Sequence, residues 1–436
     1  MAMEGRSTSL MFEVLCWQMV TFGIIWSAYA STYLLRKPAS VVKVEIMVSL
    51  GIDPAVSGLI DVCMLLPYAL VSLFLGGIAD RLGPRRTLGY GLLLASAASL
   101  PMGSCYSFWQ LMILLAISGS GQALCWPAAC SLLALWFPTR MRNTVFGAFG
   151  TSCFIGGIAG TALTVFIQLV KGWRQVFFPG ACIATVLGIV VLLFGRDPQS
   201  RGLVVPGCNT PAHKPYQDSI LESKDSHISM MSAWKLPLVS EVSASMFCIK
   251  AIRYALMMWL PFYLFKTHGY SESTAGLAAT AFEMGGAIGS AAMGILVDRW
   301  LSGRALFACG LASMGCAITL IALMITSSFG PIAHLVWLII AGALNCGPDV
   351  VLAGSVATRL GEKHGAAAAV TGVINGLGSL GIVLEGPLVA LLASWFGWNA
   401  LLPLMICLCG LAAASGFRAH SLYQKSKLYN SLQNCS

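Results

Sequence analysis

Long apolar runs separated by short polar breaks fill the chain. Twelve can be drawn, at roughly 12–35, 55–79, 87–106, 108–136, 144–170, 175–195, 239–265, 272–297, 305–328, 331–358, 366–394 and 399–417. Each is about as long as a helix must be to cross a bilayer. One long polar segment interrupts the series, with Pro206, Pro211, Pro215, Glu222, Lys224 and Asp225 marking a linker. The pattern predicts a six-helix half at 1–195, a cytoplasmic linker at 196–238, a second six-helix half at 239–417 and a cytoplasmic tail at 418–436.

Composition narrows the class. The 436 residues are 57% hydrophobic and 10% charged, and mean hydropathy is +0.79. A soluble domain carries about a quarter charged residues. The expectation is therefore an all-α integral membrane protein. No loop or tail is long enough to bury a core of its own, so a soluble catalytic domain is excluded. The 15 cysteines are scattered through the apolar runs with no CxxC or metal-type spacing, and read as small buried apolar residues. No metal and no cofactor is expected. The first ten residues hold one acid and one base and offer no cleavable signal. Asn434-Cys435-Ser436 spells a glycosylation sequon but falls in a tail expected to be cytoplasmic.

The net charge of +9 would suit a nucleic-acid partner, but the positions of the cations argue against one. With twelve spans both termini share a side. Eighteen of the 26 Lys and Arg then lie in loops and tails on that side, and four (Lys43, Lys171, Arg174, Lys266) on the other. This asymmetry places both termini in the cytoplasm. It leaves four cations that no loop accounts for: Arg36, Lys37, Lys250 and Arg253.

The stretch Tyr29-Ala-Ser-Thr-Tyr-Leu-Leu-Arg36-Lys37-Pro38 closes the first apolar run. Trp26, Tyr29, Tyr33 and Arg36 fall on one helical stripe, which sets three aromatic rings beneath a guanidinium. An arginine inside a span either snorkels to the interface from the helix end or faces a polar cavity in the bundle. Arg253 follows at an offset of 217, with Lys250 one turn before it.

That offset matches an internal repeat. Gly76-Gly-Ile-Ala-Asp80-Arg81-Leu-Gly83-Pro-Arg85-Arg86 follows the second span, and Gly294-Ile-Leu-Val-Asp298-Arg299 with Gly303-Arg304 follows the eighth, 218 residues on. Ser57-Gly58-Leu59 and Ala275-Gly276-Leu277 open the same two spans at the same offset. Trp126-Pro127 meets Gly347-Pro348 at 221, and Gly172-Trp173 meets Gly397-Trp398 at 225. Ordered landmarks with slowly drifting offsets indicate a duplicated six-helix unit.

The GxxxDRxGxRR loop resembles the signature of the major facilitator superfamily. Tyr-Leu-Leu-Arg36-Lys37, Gly121-Gln-Ala-Leu-Cys-Trp126-Pro127, Ile252-Arg253-Tyr254 and Trp259-Leu-Pro261 are similar to the organophosphate:phosphate antiporters. Ser-Val-Val-Lys43, Asp61, Phe282-Glu283-Met-Gly-Gly286 and Asn345-Cys-Gly347-Pro348 resemble the eukaryotic sugar-phosphate exchangers in particular. The resemblance implies two pseudo-symmetric six-helix halves, and a carrier that exchanges a phosphorylated metabolite for inorganic phosphate as a functional monomer. It implies that Arg36 and Arg253 grip the phosphoryl group, with Lys250, Lys37, Tyr29 and Tyr33 beside them. Read from their own positions, Asp80, Arg81, Asp298 and Arg299 in the two repeated loops, and Asp61 and Glu283 within spans, are candidates for gating or helix pairing. The sequence departs from the family at Cys153, where many members carry a histidine, and in holding Lys250 and Arg253 together.

Planar guanidinium forks suit phosphate or carboxylate. Closing a cavity around unpaired cations is unfavourable, which favours exchange; a neighbouring acid such as Asp61, Glu283, Asp349 or Glu385 could pair with an arginine and permit net transport. Asp349 and Glu385 read as gate or interface residues. Another organic anion, such as a carboxylate, remains an alternative substrate, and a transport-dead sensor an alternative class. No nucleophile–base pair supports an enzyme. His268 and His334 fall near span ends, where exposure is the expectation. The glycines at 372–386 read as helix-packing positions. The choice among plasma membrane, endoplasmic reticulum and plastid stays open.

Overall fold

The computed structural model describes residues 2–51, 58–208, 230–326 and 329–433. Ser57, the linker residues Pro211, Pro215, Glu222, Lys224 and Asp225, and the sequon at 434–436 lie outside the described residues.

The helices are α1 (Ala2–Val41), α2 (Lys43–Leu50), α3 (Gly58–Leu75), α4 (Ile78–Leu82), α5 (Pro84–Ser99), α6 (Phe108–Ala123), α7 (Cys125–Trp136), α8 (Arg142–Lys171), α9 (Phe177–Phe194), α10 (Met230–Ala233), α11 (Val239–His268), α12 (Glu272–Arg299), α13 (Ala305–Ile325), α14 (Pro331–Val350), α15 (Ala357–Glu362), α16 (Ala367–Phe396) and α17 (Leu401–Gln433). Eleven spans among the described residues are long and apolar enough to cross a membrane. The third of the twelve predicted runs is α5, 16 residues long and continued by a 3₁₀ turn, Leu100–Ser104. At 1.5 Å per α-helical and 2.0 Å per 3₁₀ residue, the two together reach about 34 Å, enough to cross hydrocarbon. Large apolar side chains such as Phe166, Leu169, Ile318 and Trp395 stand more than 60% exposed, as lipid-facing residues do.

The chain divides into two compact units. One comprises residues 1–142, 155–230 and 361–372; the other 143–154, 231–360 and 373–436. In the first, α5 packs on α6 and α9, α3 on α6, and α1 on α3 and α9. In the second, α13 packs on α14 and α17, α12 on α14, and α11 on α12 and α17. The partners correspond one for one, which is the duplication that the landmarks announce.

The landmarks have local causes. Gly172 and Gly397 adopt φ of 80° and 76°, a left-handed conformation that disfavours side chains, and each starts a 3₁₀ turn on its tryptophan. Pro127 and Pro348 cannot donate to the helical ladder. The helix breaks at Leu124 in one unit, and passes into π-helical turns, Val351–Val356, in the other.

Two boundaries differ from the pattern. α1 runs on through Pro38 to Val41, so Arg36 and Lys37 sit within the helix. α17 continues as helix through Arg418 to Gln433, where a tail is expected from 418. The start of the polar segment also has structure. Trp136 Nε1 donates to the Arg196 carbonyl, Arg201 lies 3.4 Å over the Trp17 ring, and Leu203 and Val205 are buried.

Candidate functional site

In the first unit α1 carries the predicted stripe. The Arg36 guanidinium lies 5.0 Å from the Tyr33 ring centre and 4.9 Å from that of Tyr68 on α3. Its Nε donates to Gln122 Oε1 at 3.3 Å. Gln122 is held in turn by a bond from its Nε2 to Ser118 Oγ, and Ser118 meets Ser99 at 3.1 Å. Tyr29 packs edge-on against Tyr33 and against Trp126, at 6.3 and 5.0 Å. The rings stabilise a partly desolvated cation by about 0.5–2 kcal/mol each. Lys37 lies along α8, its Cε 3.5 Å from the place a Cβ would take on Gly157. That close course needs Gly156 and Gly160, where a Cβ would sit 2.4 Å from the Ala30 carbonyl oxygen and 2.8 Å from that of Tyr33.

In the second unit Arg253 on α11 is 9% exposed. Its Nη1 donates to Asp349 Oδ2 at 3.0 Å, and its guanidinium stands 4.5 Å over the Phe154 ring. Asp349 lies at the end of α14, directly before the π-helical turns. Lys250, one turn before Arg253 and as deeply buried, donates to Asn375 Oδ1 at 2.6 Å and reaches Ser379 Oγ at 3.4 Å. Its stem crosses Gly378, where a Cβ would meet Lys250 Cδ at 3.0 Å. Cys153 is buried on α8, one residue before Phe154.

The two Asp-Arg motifs cap helices far away in sequence. Asp80 accepts from the backbone N–H groups of Ala368 and Ala369, at 2.9 and 2.8 Å, at the start of α16. Asp298 accepts from Thr144 N at 2.6 Å and from Asn143 Nδ2 at 2.7 Å, at the start of α8. A carboxylate at a helix N-terminus satisfies orphan N–H groups and meets the positive end of the dipole. Arg81 and Arg299 beside them are exposed. Asp61 pairs with Lys43. Glu283 is half-buried and is in no ion pair among the described residues.

Several partners had no sequence signal beyond their polarity. Gln122, Tyr68, Phe154, Asn375 and Ser379 approach the cations from other helices. Arg142, expected in a loop, is 2% exposed and pairs with Glu362 at 2.7 Å. Asn143 links Asp298 to Ser355. His334 corrects its expectation of exposure: it is 1% exposed, and its Nδ1 is 2.6 Å from the Tyr270 hydroxyl. Its ring centre is 5.1 Å from that of His268, because the ends of α11 and α14 bring the rings together. No cluster of three or more His, Cys, Asp or Glu among the described residues could hold a metal ion.

Comparison with known proteins places this architecture. The family model of the Major Facilitator Superfamily matches residues 21–272 and 242–426. "Putative glycerol-3-phosphate transporter 2" of Arabidopsis thaliana is 30% identical over 436 aligned residues, covering 91% of this chain and 84% of its own. The glucose-6-phosphate exchanger SLC37A2 of Danio rerio is 26% identical, with 87% of each chain covered. Among solved structures, the proton:xylose symporter XylE superposes with a TM-score of 0.69 at 16% identity over 96% of both chains. The human organic anion transporter MFSD10 gives 0.67 at 14% identity over 92% of this chain and 99% of its own. These two likenesses concern the fold alone. With paired six-helix units, twin Asp-Arg caps and relatives along nearly its whole length, this multi-pass membrane protein is a transporter of the major facilitator superfamily, related to glycerol-3-phosphate transporters and sugar-phosphate exchangers.

Proposed function

We propose that the protein exchanges a phosphorylated metabolite, glycerol-3-phosphate or a sugar phosphate, for inorganic phosphate by alternating access. Arg36 and Arg253 bind the phosphoryl oxygens, Lys250 and Lys37 add charge, and Tyr29 and Tyr33 line the approach. Asp80, Arg81, Asp298 and Arg299 act in gating, as do Asp61 and Glu283. The protein works as a monomer with both termini in the cytoplasm, as the distribution of Lys and Arg indicates.

The observation that carries this reading is the Arg253–Asp349 pair, whose side chains are each 10% exposed. A buried guanidinium is here held by an oxyanion supplied by the protein. A phosphate dianion offers oxygens at the same reach with more charge, and displaces the carboxylate. When phosphate leaves, Asp349 returns, so Arg253 is not stranded away from water. This return permits some net transport, but the carboxylate carries less charge than phosphate, so the empty carrier cycles more slowly than the loaded one and exchange outpaces net transport. The relatives support the choice of phosphate over other anions. One observation favours the second reading, an organic carboxylate: the group that Arg253 holds is itself a carboxylate.

Phosphate uptake into proteoliposomes, with and without internal phosphate, tests the proposal. Uptake should depend strongly on internal phosphate, be lost in Arg253→Ala, and be competed by glycerol-3-phosphate or glucose-6-phosphate. A folded preparation that moves dicarboxylates and no phosphate would sink it.

A further inference from the structure

Over its whole length α16 carries one charged side chain, Glu385. It lies eighteen residues from the helix start, about 27 Å along the axis, and so deep within the span. Glu385 is 3% exposed, and its Oε2 has no hydrogen-bond partner among the described residues. No cation among those residues forms an ion pair with it. The group turned toward it is the Trp259 indole of α11, whose Nε1 is also buried without a closed hydrogen bond. Trp398 covers Trp259 at 5.8 Å, and Phe262 packs on Trp398 at 4.7 Å.

Among the described residues of the neighbouring elements no cation pairs with it; Lys266 of α11 lies over the Phe262 and Phe265 rings, at 5.7 and 5.6 Å. On α11, Lys250 is engaged by Asn375 and Arg253 by Asp349. Tyr263, one turn past Trp259, directs its hydroxyl to His268 at 3.4 Å. The turn at Trp398–Ala400 has no charged residue, and α17 has none before Arg418. An ionised carboxylate left alone in such surroundings costs far more than one indole N–H returns, and the group neutralises by keeping its proton. Two residues on, Pro387 removes a helical hydrogen bond and provides a point at which α16 can bend.

We propose that Glu385 is a proton-binding site of the carrier: it holds its proton while α11 and α16 pack as here, exchanges it with water when they part, and so couples proton movement to anion transport. The step is a proton transfer alone. The carboxyl O–H bond breaks, its electron pair stays on oxygen, and water accepts the proton; the reverse reloads the site. Only the identity of the anion rests on the function proposed above.

The test has two arms. In infrared difference spectra of wild type against Glu385→Gln at neutral pH, a carboxylic-acid C=O band should belong to Glu385. In proteoliposomes holding a pH-sensitive dye, the slow net phosphate uptake without internal phosphate should carry protons inward, and a gradient of one pH unit should change net phosphate accumulation about tenfold for one coupled proton. Glu385→Gln should keep counterflow and lose both responses. Absence of the band, or proton flux undiminished in the variant, overturns the proposal. If wild type moves no phosphate, the anion is wrong, and the band alone decides: present, it upholds the site; absent, it removes it. Should Glu385→Gln fail to assemble, Glu385→Asp replaces it, with the band shifted rather than lost.

Discussion

The backbone N–H of Thr144 donates to Asp298 Oδ2 at 2.6 Å, so the first turn of α8 is capped by a residue 154 positions further along the chain. Ala368 and Asp80 repeat the relationship at 2.9 Å with the order reversed. Alternating access, as proposed above, would have to release such caps. Losing one costs about 1–2 kcal/mol. Asp298→Ala should therefore speed hydrogen exchange at the Thr144 amide by about 5- to 30-fold while distant spans keep their protection. Unchanged exchange there would remove the capping role.

The second cap is sensitive to pH. Burial pushes the Asp80 carboxyl up to about 6 from its usual 3.8, against the N–H groups of Ala368 and Ala369, which pull it down. The docked carboxyl binds its proton more tightly than the undocked one. Its contribution is complete below about 3.8 and is lost as pH rises through about 6. After correction for intrinsic rates, the Ala368 and Ala369 amides should be better protected at about pH 5.5 than at about pH 7.5. Asp80→Asn should abolish that step.

On the proposed function, Asp349, which pairs with Arg253 at 3.0 Å, competes with substrate for it. Asp349→Asn keeps the shape and removes the charge. Phosphate binding should tighten by about tenfold or more, while net transport without phosphate on the far side slows. Arg253→Lys keeps a charge but not the fork, and should bind phosphate less tightly than wild type. Isothermal titration beside counterflow separates the two effects.

Neighbouring glycines on α8 should differ sharply. A Cβ at Gly156 would sit 2.4 Å from the Ala30 carbonyl oxygen, whereas at Gly157 it would meet Lys37 Cε at 3.5 Å. Gly156→Ala should cost about 1–3 kcal/mol by overpacking, and lower the thermal midpoint in detergent. Gly157→Ala should be near neutral. Equal effects would show that close approach of α1 and α8 is not what these positions serve.

Glycine at the repeated Gly-Trp turns is required for a different reason. A Cβ at Gly172 or Gly397 meets nothing within 4 Å, yet both residues have positive φ. Alanine there should destabilise by about 1–2 kcal/mol through backbone strain alone. Asparagine, which is favoured in the αL region but not at these extended ψ values of 167° and 175°, should cost about as much, as thermal melts of the two variants would report.

The sequence by itself determined the apolar runs, the duplication and the cations that no loop explains. These depend on composition and on spacing within a few turns, and the stripe of Tyr29, Tyr33 and Arg36 survives folding because a helix preserves it. It also marked Asp80 and Asp298 for gating or helix pairing. It did not show which helix each would cap, since Asp80 meets Ala368 across 288 positions. The course of α1 through Pro38 and the burial of His334 also depended on neighbours. The partners of the cations were decided only by tertiary structure: Gln122 and Tyr68 for Arg36, Asp349 and Phe154 for Arg253, Asn375 for Lys250. Sequence spacing carries no distance between helices, and a buried charge takes whichever polar group the packing of other helices brings within reach.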